Sequence, residues 1–238
     1  MYKTAIITGA GRGIGKETAL LLAKNGLNIA VCSRTQCEID SVIEKIKKLK
    51  NNNINAFGMK CDVSKPLEVN QLVQKTIDRF EGVDILVNNA GIAFISKLID
   101  TSEEQWDKTI DINLKGTFLS TKAVLPFMLR NGSGVIINVS SGAGKIGFPN
   151  ISAYCASKFG MIGLTESLAW EVSDTNILVM AICPDEVNTR MQEDLDKEYH
   201  RENKSKMLRP EQIAQRIVEM IFNNRHQYVS GQSVIIDT

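Results

Sequence analysis

Tyr154 and Lys158 stand four residues apart in Ser152-Ala153-Tyr154-Cys155-Ala156-Ser157-Lys158. On a helix this spacing puts both side chains on one face, about one turn apart. A phenol ionises near ~10, and a neighbouring ammonium stabilises the ionised form, so the pair suits general acid chemistry near neutral pH. Bringing a phenol down to neutrality requires about 4 kcal/mol, more than one lysine supplies, so a second positive charge is expected beside it. The same spacing also arises by chance in helices that do no chemistry, and further residues have to decide.

A second constellation is the run Thr8-Gly9-Ala10-Gly11-Arg12-Gly13-Ile14-Gly15. Gly9, Gly13 and Gly15 join an apolar run to a segment with helical spacing. Glycine there permits a tight turn, lets a pyrophosphate approach backbone N–H groups and allows close packing of helix on strand. The spacing is G-x-x-x-G-x-G rather than the commoner G-x-G-x-x-G. Such a turn can be purely structural, but its place between strand and helix points to a bound nucleotide, with Ile14 also facing it. At the end of the second apolar run, where NAD sites usually carry an acidic residue for the ribose hydroxyls, the chain has Ser33-Arg34-Thr35. A carboxylate would repel a 2′-phosphate, whereas Arg34 can grip it in a guanidinium fork, with Arg12 near enough to assist. NADP(H) is therefore expected over NAD(H), the alternative being that both arginines are solvated surface residues. An oxidised nicotinamide would then be the second positive charge beside Tyr154.

These residues need a frame to hold them. Short apolar, β-branched runs recur at 4–8, 28–33, 56–61, 84–89, 134–140, 177–183 and 232–237, and read as buried strands. Between them 14–25, 36–50, 66–80, 102–130, 153–173 and 210–223 carry helical spacing. The alternation calls for right-handed crossovers and a parallel sheet covered on both faces. An α/β fold is expected, a single-domain, doubly wound, seven-stranded Rossmann fold over residues 1–238. Ser64 ahead of Pro66 and Ser102 ahead of Gln105 read as helix N-caps, the second with a capping box. Residues 190–209 are charged, have weak apolar periodicity and interrupt the alternation, so they read as a lid over the site.

The 238 residues include 43% apolar and 23% charged side chains, the balance of a soluble chain that buries about 70 to 75% of its unfolded surface. Lys and Arg number 28 against 27 Asp and Glu, and a net +1 speaks against a nucleic-acid partner. Met1-Tyr2-Lys3 runs directly into the first strand, so no targeting signal is expected. Apolar runs such as 177–183 fall far short of the ~20 residues that span a bilayer, so no membrane partner is expected. Cys32, Cys37, Cys61, Cys155 and Cys183 form no C-x-x-C pair and read as core fillers in a reducing cytoplasm. No metal is implied, because His200 and His226 lie far from them in sequence.

With these motifs in this order the chain resembles the short-chain dehydrogenase/reductase family over essentially its full length. The matching residues are TGAGRGIG at 8–15, Asp62-Val63, Asn88-Asn89-Ala90-Gly91, Asn113, Ser141 and Tyr154-x-x-x-Lys158. The resemblance implies that Asp62 and Val63 flank the adenine. It also implies that Asn89, Ala90 and Gly91 support the cofactor, with Ile92 close by. Ser141, 13 residues before Tyr154, orients the substrate carbonyl, in preference to Ser140. Lys158 also holds the nicotinamide ribose, and Asn113 helps position a water for proton relay. Pro184, Val187 and Thr189 meet the nicotinamide carboxamide, but Asp185 stands where the family usually has glycine. Aspartate tolerates a left-handed backbone at some cost, so Asp185→Gly is expected to relax a local constraint.

The implied reaction is NADPH-dependent reduction of a ketone, reversible as alcohol oxidation. The nearest resemblance is to 3-oxoacyl-(acyl-carrier-protein) reductases, supported by Lys206-Met207-Leu208-Arg209-Pro210-Glu211 and Tyr228-Val229-Ser230-Gly231-Gln232. Trp170-Glu171-Val172-Ser173-Asp174-Thr175-Asn176 lacks the bases expected of a carrier-protein docking helix. A small ketone, quinone, sugar or steroid therefore stays open as substrate, as does a non-catalytic NADP(H)-sensing regulator. A homo-oligomer, dimer or tetramer, is expected, though the chain lacks the Asp-Gly-Gly tail that often joins subunit contacts.

Overall fold

Valine, isoleucine and alanine dominate seven short runs that pair into one sheet: β1 (Thr4–Thr8), β2 (Asn28–Ser33), β3 (Ala56–Lys60), β4 (Ile85–Asn88), β5 (Ser133–Val139), β6 (Asn176–Pro184) and β7 (Ser233–Ile236). They come from a computed structural model describing residues 3–49, 54–223 and 227–237. Met1, Tyr2, Lys50 and His226, which entered the sequence reading, lie outside those residues. Every pairing is parallel, and the order is β3-β2-β1-β4-β5-β6-β7. Both faces are buried, which is why the strands read as continuous apolar runs. Ile7, Ile29, Val31, Val87 and Ile137 face one core, while Ile6, Ala30, Leu86 and Ile136 face the other.

Helices α1 (Gly13–Lys24), α2 (Gln36–Lys47) and α9 (Pro210–Phe222) cover the first core, through Leu22, Ile39, Ile213 and Ile217. Helices α3 (Pro66–Phe80), α5 (Gly116–Asn131) and α6 (Ser152–Glu171) cover the second, through Leu72, Val124, Met128 and Leu168. The direction of winding reverses between β1 and β4, so the chain leaves their C-terminal ends in opposite directions and opens a crevice there. Among the described residues no helix is long and apolar enough to cross a membrane.

Three local expectations need correction, at 102–130, Ser64 and Asp185. The continuous helix expected over 102–130 is broken into α4 (Glu103–Ile110), a π-helical turn over Asp111–Lys115, and α5. The Ser102 capping box at its start is present, with Ser102 and Gln105 exchanging hydrogen bonds of 3.2 Å. Ser64 does not cap α3; Lys65 holds that position, and the Ser64 hydroxyl instead donates to Asp62 Oδ1 at 2.7 Å. The stretch at 190–209 contains two short helices, α7 (Arg190–Leu195) and α8 (Lys197–Asn203), capped by Thr189 and Asp196. Asp185 pays no left-handed backbone cost. Its N–H donates to Ile236 O at 2.9 Å, extending the β6–β7 pairing, and the non-glycine residues with positive φ are Glu81 and Asn150.

Candidate active site

One cleft of about 1330 Å³ runs along the C-terminal edge of the sheet. Ser33, Arg34, Asp62 and Val63 line one end of the constellation, and Ser141, Tyr154 and Lys158 the other. Gly9, Arg12, Gly13, Ile14, Asn89, Ala90, Gly91, Pro184, Val187 and Thr189 also line it. Gly15 and Asn113 lie behind its wall.

The crevice between β1 and β4 is held shut at its base. Gly9 has φ +63°, and a Cβ there would fall 2.6 Å from Ala90 Cα. The Asn89 side chain donates to the carbonyls of Thr8 and Gly9, each at 3.0 Å. In return Thr8 Oγ1 accepts from the N–H groups of Asn89 at 3.1 Å and Ala90 at 3.2 Å. Thr8 was missed by sequence reasoning; a hydroxyl closing an apolar strand beside the glycine turn was its signal. Arg12 occupies the N-cap of α1 without a side-chain cap, and the first turn has no acidic residue. Bare N–H groups and a glycine cradle with no room for side chains fit a pyrophosphate.

At the end lined by Ser33 and Arg34, burial works against the Asp62 carboxylate. Hydrogen bonds from Ser64 and the charges of Arg34 and Lys65 outweigh it and hold the carboxyl below its ordinary value. Glu38, in the first turn of α2, is another residue sequence reasoning missed. Its carboxylate lines the cleft and pairs with Arg12 at 3.1 Å.

At the other end Lys158 is 3% exposed and its ammonium donates to Val139 O at 2.7 Å. The same nitrogen lies 5.5 Å from the Tyr154 ring centroid. Burial pulls Lys158 down to about 8, and pushes Tyr154 up to about 12 against the opposing effect of the Ser141 hydroxyl. The lowering of the phenol expected from the lysine is therefore absent in the protein alone. Desolvation outweighs the Ser141 hydrogen bond, and the Lys158 ammonium donates to Val139 O. Tyr154 keeps its proton at neutral pH, the form a donor needs.

Ser141 heads a short 3₁₀ turn (Gly142–Gly144), its Oγ accepting from Ala143 N at 3.1 Å. The buried Ser140 hydroxyl instead donates to Lys158 O at 3.1 Å and serves to anchor α6. Asn113 is fully buried in the π turn. Its amide oxygen accepts from Ile92 N at 2.8 Å, and its nitrogen donates to Ile92 O at 2.9 Å and Ser157 Oγ at 3.0 Å. It thus ties the turn after β4 to α6, with Gly91 between Asn113 Oδ1 and Lys158 Nζ. Beneath the site Asn88 donates to Asn138 at 2.9 Å, and Asn138 to Thr165 at 2.8 Å, a buried polar ladder the sequence reading did not identify.

The mouth is framed by the segment after β6. Asp185 and Glu186 line it, and Tyr199 of α8 donates to Glu186 Oε2 at 2.9 Å. His200 Nε2 bonds Asn188 Oδ1 at 2.8 Å, and Val187 bridges to Leu208. Among the described residues no group of three or more His, Cys, Asp or Glu is arranged to hold a metal.

Comparison with known proteins gives a consistent set of relatives. The short chain dehydrogenase family matches residues 3–200. The 3-oxoacyl-[acyl-carrier-protein] reductase of Staphylococcus epidermidis is 34% identical over 242 residues, covering 100% of this chain and 98% of the relative. Its counterpart in Synechocystis is 37% identical, covering 99% and 95%. Among solved structures, levodione reductase superposes with a TM-score of 0.92 at 29% identity, covering 99% of this chain and 96% of the other. An actinorhodin polyketide ketoreductase solved with NADPH gives 0.92 at 31% identity, covering 99% and 96%.

Proposed function

The chain belongs to the short-chain dehydrogenase family, and from that premise we propose that it is an NADPH-dependent reductase of a ketone carbonyl, running in reverse as alcohol oxidation. The observation that carries this reading is the meeting of a protonated Tyr154, the Ser141 hydroxyl and a buried Lys158 in one cleft with Ser33 and Arg34. When bound, the reduced nicotinamide supplies a hydride to the carbonyl carbon. Tyr154 gives its proton to the carbonyl oxygen, and Ser141 donates a hydrogen bond to that oxygen as negative charge develops. Lys158 holds the nicotinamide ribose, and Asn113 supports the relay that returns a proton to the site.

The glycine turn, with Gly9, Gly13, Ile14 and Gly15, would hold the pyrophosphate, and Arg34 with Ser33 and Arg12 the 2′-phosphate. Asp62 and Val63 would flank the adenine, Asn89, Ala90 and Gly91 the cofactor's centre, and Pro184, Val187 and Thr189 the carboxamide. Helices α7 and α8 serve as the lid of a single domain. The relatives' names support a 3-oxoacyl thioester as the first substrate class, while the absence of a base over 170–176 argues against an essential carrier-protein contact. Exposed Trp106 and Phe118 on α4 and α5, and Trp170 at the end of α6, support assembly as a homo-oligomer. The buried, unpaired Cys32, Cys61, Cys155 and Cys183 fit a cytoplasmic location.

The test is to mix purified protein and NADPH with a panel of 3-oxoacyl thioesters, small ketones and quinones. NADPH consumption with a carbonyl compound is expected. Binding of NADPH without turnover across the panel would identify a cofactor sensor instead.

A further inference from the structure

Glu38 brings a carboxylate to the part of the cleft that the other residues make basic. Its Oε1 lies 3.1 Å from Arg12 Nη1, with the Arg12 side chain 51% exposed and that of Glu38 24%. Gly11 is what lets it reach the turn. A Cβ at Gly11 would lie 2.8 Å from Glu38 Oε2 and 2.9 Å from Ser33 Oγ, so both side chains converge where a side chain on Gly11 would stand. Arg12, Ser33, Arg34 and Glu38 all line the same cleft. No other ion pair joins Arg12 among the described residues, so Glu38 fixes its direction.

Resting on the NADPH reading above, we propose that Glu38 is a cofactor-specificity residue that competes with the 2′-phosphate for Arg12. A guanidinium already paired with a carboxylate must exchange that partner for the phosphate, and the released carboxylate then stands beside a second anion. Arg34 forms no close ion pair among the described residues, its charge acting only at longer range on the Asp62 carboxylate, and it carries the preference for the phosphate. Glu38 sets how large that preference is. The pair also leaves a carboxylate available to the adenosine ribose hydroxyls, so NADH is admitted at a lower affinity instead of being shut out.

The experiment is titration of the full chain with adenosine 2′,5′-bisphosphate and with 5′-AMP, which differ by the 2′-phosphate, using calorimetry at low ionic strength. Relative to 5′-AMP, Glu38→Gln should bind the bisphosphate about five-fold more tightly, and the gain should shrink in high salt. In an Arg12→Gln background the same substitution should change the ratio by less than about two-fold, since the contested partner is gone. Weaker or unchanged bisphosphate binding in Glu38→Gln would overturn the proposal, as would a gain that persists undiminished without Arg12. Circular dichroism of each variant establishes that α2 is intact. The wild-type ratio of the two ligands reads the NADPH assignment separately: equal binding would contradict that assignment, whereas the Glu38 proposal is read from the change between variants.

Discussion

Tyr154→Phe removes one oxygen and keeps the ring, so NADPH binding should persist while carbonyl reduction falls by at least ~10²-fold. Near-normal turnover in that variant would refute the proton-donor role. Ser141→Ala should likewise cut turnover with little effect on cofactor affinity. Ser140→Ala should mainly lower the urea midpoint, because its hydroxyl bonds the Lys158 carbonyl at 3.1 Å. The reverse ranking would exchange the two roles. Lys158 also makes stability depend on pH. Burial holds it at about 8 against an ordinary 10.5, so between those values the unfolded chain binds a proton that the native protein has released. Its contribution to stability is fully present above the unfolded value and is lost as pH falls through about 8. Wild type should therefore gain up to about 3 kcal/mol relative to Lys158→Met between pH 8 and 10.5 in urea titrations, whereas a constant gap would contradict the depressed value. Ser141, Tyr154 and Lys158 were legible as candidates because each is a chemical type at a fixed distance along the chain, and Asn113 only through the family resemblance. The raised phenol was not, since it follows from desolvation by residues remote in sequence.

Elements were legible where one local signal governed them. Ser102 and Gln105 sit three apart and cap α4 as their types require. The break at Asp111–Lys115 was not legible: the apolar spacing runs on, and the π turn is stabilised by Asn113 bonding Ile92 across the fold. Ser64 was misread because Lys65 takes the N-cap position and the Ser64 hydroxyl donates to Asp62 Oδ1, where a cap would accept from a helix N–H. At the end of β6 the family's usual glycine suggested strain at Asp185, yet its φ is not positive and its N–H donates to Ile236 O. Asp185→Gly should consequently destabilise by about 0.5–1 kcal/mol, through greater freedom of the unfolded chain. A higher urea midpoint would show that the aspartate is strained after all. A large loss of turnover would show that its carboxylate acts on substrate at the mouth.

At the scale of the whole molecule, alternation of apolar runs and helical segments sufficed for the parallel sheet, because both faces are buried and topology follows from crossover handedness. Contacts between remote segments were not legible. Glu38 meets Arg12 only because β1 and β2 are neighbours and both loops leave the same edge. The cofactor claim lives at this scale, since it depends on two loops and a helix facing one cleft. A 2′-phosphate contact with Arg34 is worth ~1.5 to 3 kcal/mol, or about ten- to a hundred-fold in affinity. Ser33→Asp combined with Arg34→Val should remove that contact, supply a ribose acceptor and turn the preference towards NADH. The most direct test of the account is kcat/KM of the unmodified protein for NADPH and for NADH, with one reducible ketone, at low and high salt. A preference for NADPH of about ten-fold or more that narrows as salt rises is expected. A preference for NADH at either ionic strength would contradict it.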